Sequence, residues 1–88
     1  MLYMVVERFR SGSPDEVGAR FKSRGRLVPD GAGLEYIASW MAADGSGCYQ
    51  LMKAPDRSAF DGWVANWADL VDFDITEVQT AADFWSSR

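Results

Sequence analysis

Histidine is missing altogether from these 88 residues, and cysteine occurs once, at Cys48. Without histidine there is no Ser-His-Asp triad, no facial-triad iron site and no proximal-histidine haem. A structural zinc site of four Cys and His ligands cannot be assembled, and one thiol forms no disulfide within the chain. No apolar run approaches the roughly 20 residues of a membrane-spanning helix. Neither G-x-x-x-x-G-K-[ST] nor a G-x-G-x-x-G after a strand occurs, so phosphate cradling is unsupported. Basic charge is also short: nine Lys and Arg face thirteen Asp and Glu, for a net charge of −4. That balance argues against nucleic acid and anionic membranes as partners. The opening MLYMVVERF lacks a basic n-region and meets charge at Glu7, so no signal peptide is expected. A cytoplasmic location is the corresponding expectation, with which a free cysteine agrees.

Apolar residues are plentiful by contrast: 48% of the chain is hydrophobic and 14% aromatic, enough for a dense core. Phe60, Trp63, Val64 and Trp67 recur at the spacing of one helical face. So much aromatic surface must be covered, and the remaining chain must supply a sheet to cover it. Leu2 to Phe9 reads as a strand whose two faces, Tyr3-Val5-Glu7-Phe9 and Leu2-Met4-Val6-Arg8, are both apolar at first, as for a strand buried on both sides. Ser13-Pro14-Asp15-Glu16 has the form of a capping box with proline at the first helical position, and the helix runs to about Arg26, offering Val17 and Phe21 to the core. Arg20, Lys22, Arg24 and Arg26 crowd this helix, either as a solvated face or as an anion-binding edge. Leu34 to Ala42 is a strand with Tyr36, Ala38 and Trp40 on one side. Asp44 to Gly47 is a hairpin connection, and Cys48 to Lys53 returns. A second helix starts near Asp56. Gly62 inside it points to close approach by the sheet. Val71 to Gln79 is the last strand, and Thr80 caps a short terminal helix.

The order β-α-β-β-α-β predicts an α+β fold, a ferredoxin-like sandwich with both helices on one face of a four-stranded antiparallel sheet. Residues 1–80 form this domain, and residues 81–88 a short tail that docks through Phe84 and Trp85. The second sheet face keeps large apolar side chains, which a monomer seldom exposes, so a homodimer through that face is expected. MLYMVVERF, GRLVPDGAGLEYIASW, CYQLMKA and W-x-x-x-W-A-D-L-V-D-F together resemble a group of short, mostly bacterial proteins of unknown function. The resemblance implies the dimeric α/β barrel fold, in which two ferredoxin-like subunits close a barrel between their sheets. It implies no activity.

The candidate site rests on polar residues set into apolar strands. Glu7 stands in the column Tyr3, Val5, Phe9. A carboxyl there finds a partner, with Arg26 or a second subunit as candidates, or has its pKa raised and can act as acid or base. It is the candidate catalytic residue, expected at the mouth of the space between the sheets. Tyr36, Trp40 and Gln50 are the candidate ligand-binding residues. Cys48 without a histidine partner reads as a small half-buried strand residue. Asp69, Asp72 and Asp74 read as a solvated acidic edge. No metal and no cofactor is expected. Two functions fit: metal-free binding or transformation of a small apolar or aromatic molecule, or a non-catalytic structural or regulatory module with a filled barrel. A lined cavity of roughly 300 Å3 or more keeps the first alive, and a filled interior removes it.

Overall fold

A computed structural model describes residues 1–88. The elements are β1 (Leu2–Phe9), α1 (Asp15–Arg24), β2 (Glu35–Met41), β3 (Gly47–Lys53), a 3-10 turn (Arg57–Phe60), α2 (Asp61–Ala65), β4 (Val71–Val78) and α3 (Ala81–Ser86). All strand pairs are antiparallel, in the order β2-β3-β1-β4. This is an α+β fold compatible with the ferredoxin-like plan.

Register sorts the strand residues into two faces. Tyr3 pairs with Met52, Val5 with Gln50 and Glu7 with Cys48 on one side of β1. Val5 pairs with Ile75, Glu7 with Phe73 and Phe9 with Val71 on the other. These residues share the helix-covered face, where Phe60, Trp63 and Trp67 complete the buried core. β3 passes close to β1 at Gly47, where a Cβ would stand 2.2 Å from the carbonyl oxygen of Glu7. Only glycine fits there.

Several elements depart from the expected form. β2 carries a bulge at Ile37, between Tyr36 and Ala38. The extra residue reverses the alternation. Tyr36 pairs with Met52 and faces the helices, whereas Ala38 and Trp40 pair with Leu51 and Tyr49 on the open face. The aromatic segment is a tight 3-10 turn followed by a five-residue helix rather than one long helix. Asp56 does cap it, its carboxylate accepting from the Ala59 N–H at 3.2 Å. Gly62 is approached by Pro29 of the connection to β2, 3.1 Å from where its Cβ would be, and not by the sheet.

Helix α1 is the loosest element. The expected capping box does not form: Pro14 is itself the N-cap and not the first helical residue, no side chain caps it, and Ser13 Oγ accepts only from the Asp15 N–H at 3.3 Å, a local turn. Gly25 at φ 71° ends the helix. None of its residues is buried, and Phe21 is 46% exposed. It is tied down by Arg20, whose guanidinium donates to both carboxylate oxygens of Asp69, at 2.8 and 2.7 Å, and to the Asn66 carbonyl. At the other end Thr80 caps α3 through the Asp83 N–H. The α3 rings pack on each other at 5.1 Å, and Trp85 stays 68% exposed. The larger ring of the expected docking tail therefore faces solvent.

Candidate functional site: a cleft under the first helix

Because α1 does not settle onto the sheet, a cleft of about 230 Å3 remains between them. Its floor is Glu7, Cys48 and Gln50, its roof Val17 and Phe21, and one end is closed by Trp63 and Trp67. The walls are largely apolar, with polar groups gathered on the strands.

Glu7 and Gln50 are 8% and 7% exposed. They are brought together by the β1–β3 register, which places Gln50 opposite Val5 and Cys48 opposite Glu7. Gln50 Nε2 donates to the Glu7 carboxylate, and Gln50 Oε1 is buried without a donor. A buried orphan acceptor is uncommon and costly. Burial pushes the Glu7 carboxyl from its ordinary 4.5 to about 7, against the opposing pull of the Gln50 amide and of the Arg26 charge. Glu7 thus titrates where an acid–base group is most effective. Burial and the nearby Glu7 charge push the Cys48 thiol up to about 11. It stays protonated at neutral pH and is no nucleophile.

Four residues were named from the sequence for this site. Glu7 and Gln50 both line the cleft and meet each other, a contact the sequence does not foretell, and they do so under the helices and not in the space between two sheets. Tyr36 lies on the same face, its hydroxyl 2.7 Å from Ser39 Oγ, and Ser39 lines the cleft. Trp40, turned over by the bulge, lies on the far side of the sheet. Of the two candidate partners for Glu7, Arg26 makes no ion pair with it and acts on the carboxyl at longer range, while Gln50 supplies the hydrogen bond. The acidic edge is partly committed: Asp69 pairs with Arg20 and Asp72 with Arg10.

Arg26 is the residue whose place the sequence conceals. Its carbonyl accepts both indole N–H groups, from Trp63 at 3.0 Å and Trp67 at 2.8 Å. The four-residue spacing of the two tryptophans signals that both indoles reach one side, though not what they meet.

This architecture has a family. The chain belongs to the family described as Domain of unknown function (DUF3303), whose model matches residues 1–86. The match covers the sheet, the cleft and α3 together. No curated protein and no solved structure matches the chain. No helix is long and apolar enough to cross a membrane.

Proposed function

We propose that this chain is a homodimeric ferredoxin-like protein of the dimeric α/β barrel type. In this reading the cleft under α1 binds or transforms a small apolar or aromatic molecule without a metal. Glu7 is its acid–base group and Gln50 its hydrogen-bonding anchor. One observation carries the reading: the buried Glu7–Gln50 pair at the floor of an apolar cleft, with an acceptor left over. Buried amide oxygens are usually hydrogen-bonded, so the leftover acceptor points to a donor that comes from the cleft. The cleft lies below the roughly 300 Å3 at which drug-sized pockets begin, so its occupant has the bulk of a single ring or a short chain. Tyr36 supports the rim through Ser39. Trp40 serves the dimer face and not the cleft. The alternative is a non-catalytic interaction module with a filled barrel; the cleft lies under α1 and outside the barrel, so it supports the first reading without bearing on the barrel's interior.

A thermal-shift series with small aromatic and fatty acids tests the binding. Wild-type protein should melt at higher temperature as ligand concentration rises, and Gln50→Ala should lose the effect. A melting temperature indifferent to every compound leaves the interaction module as the better account.

A further inference from the structure

An apolar ligand does not need the guanidinium found at this cleft. Arg26 belongs to none of the three ion pairs, which are Arg10–Asp72, Arg20–Asp69 and Arg57–Asp61. Its guanidinium carbon lies 3.8 Å from the centre of the Tyr36 ring and 5.3 Å from that of Phe21. Stacking on rings holds a guanidinium in place while leaving its in-plane N–H donors available. The backbone beneath it is held as well, by the two indole N–H groups on its carbonyl. The next residue, Leu27, has φ 58° and is the one non-glycine residue with positive φ. Leucine rarely adopts that conformation, and residues kept in it cluster where a site requires them. Lys22 and Arg24 in the last turn of α1 add charge of the same sign nearby.

The second observation is independent of the first. Gln50 Oε1, more than nine-tenths buried in the cleft floor, has no donor. The cleft therefore offers a stacked cation and an unfilled acceptor, with apolar walls between them.

We propose that the ligand is a small aromatic carboxylic acid bearing a hydroxyl group. Its carboxylate meets Arg26 in a bidentate hydrogen-bonded pair. Its hydroxyl donates to Gln50 Oε1, and its ring lies among Val17, Met41 and Trp63. This rests on the binding reading above and names the substrate class of that same cleft. Lys22, Arg24 and Arg26 then act as an anion-receiving edge in a chain that is acidic overall.

Titration calorimetry with three probes tests it: 4-hydroxybenzoate, benzoate and the neutral 4-hydroxybenzamide. 4-Hydroxybenzoate should bind wild-type protein about tenfold or more tightly than the amide, since a hydrogen bond to a charged group is the stronger kind. Benzoate, with no donor for Gln50, should bind more weakly than 4-hydroxybenzoate. Arg26→Gln should abolish the preference for acid over amide while still binding the amide. If the amide binds wild-type protein as tightly as the acid, the anion site is overturned and the binding reading survives. If none of the three binds while a fatty acid of the thermal-shift series does, this ligand class is overturned and the binding reading survives; if nothing in either series binds, both fall. The wild-type comparison decides the matter even where Arg26→Gln does not fold.

Discussion

Glu7 is the residue whose environment most constrains its chemistry. Its carboxyl titrates near 7 in the folded protein and near 4.5 when the chain is open, because burial disfavours its charge. The folded state therefore holds more protons between about pH 4.5 and 7. Its contribution to stability is greatest below that window and is lost as pH rises through it. At about 1.4 kcal/mol per pH unit, the loss is roughly 3 kcal/mol. Asp56 and Asp69 act oppositely and at lower pH. Hydrogen bonds from Ser58 and Arg20 hold their carboxyls below the ordinary value, so their contributions fade as pH falls below it. Urea midpoints measured from pH 4.5 to 8 should fall with rising pH in wild type, and Glu7→Gln should flatten that slope. A wild-type midpoint constant across the window means that the carboxyl is solvated.

At the scale of elements, the two helical segments contribute very differently. The segment from the 3-10 turn through Trp67 supplies three buried rings, with Phe60 against Tyr3 at 5.0 Å and Trp63 against Phe73 at 5.2 Å. Trp63→Ala should cost roughly 3–5 kcal/mol, a large part of what so small a domain has. Near-native stability in that variant would show that the ring is not part of the core. Helix α1 contributes little burial, and Arg20 is its main fastening, stacked 5.3 Å from the Trp67 ring. The Asp69 end of that pair is largely exposed, so Arg20→Ala should change global stability little. It should nevertheless speed hydrogen exchange over residues 15–24 while leaving the strands protected. Unchanged exchange in α1 would mean that other contacts hold it over the cleft.

For the whole molecule, the open sheet face is the main unbalanced feature. Trp40 and Tyr49 are exposed there beside Met4, Val6 and Leu51, a continuous apolar surface of the kind monomers seldom keep. A second copy laid on it buries both surfaces at once by two-fold symmetry. Sedimentation at micromolar concentration should report a dimer, and Trp40→Glu with Tyr49→Glu should shift it to a folded monomer. A monomeric wild type would remove the homodimer and leave the cleft untouched.

Local chemistry alone determined a good part of this protein. Capping groups and turns mark where elements begin and end: Asp56 and Thr80 each accept a backbone N–H three residues on, as their positions suggest, whereas Ser13 bonds two residues on and leaves Pro14 as an N-cap with no side-chain bond. The helical spacing of Phe60, Trp63 and Trp67 foretold their burial, and period two foretold that Glu7 stands in an apolar column. What no local rule reaches is which way that column looks, because both columns of β1 are apolar. The bulge at Ile37 is equally hidden, since isoleucine suits a regular strand as well as an interrupted one, yet it separates Trp40 from Tyr36. Only tertiary packing decided that α1 stands off the sheet, that Gln50 meets Glu7 across β1 and β3, and that two indoles anchor Arg26. Those contacts join residues 37 to 43 positions apart, and their geometry depends on strand register and helix seating, which the whole chain sets together.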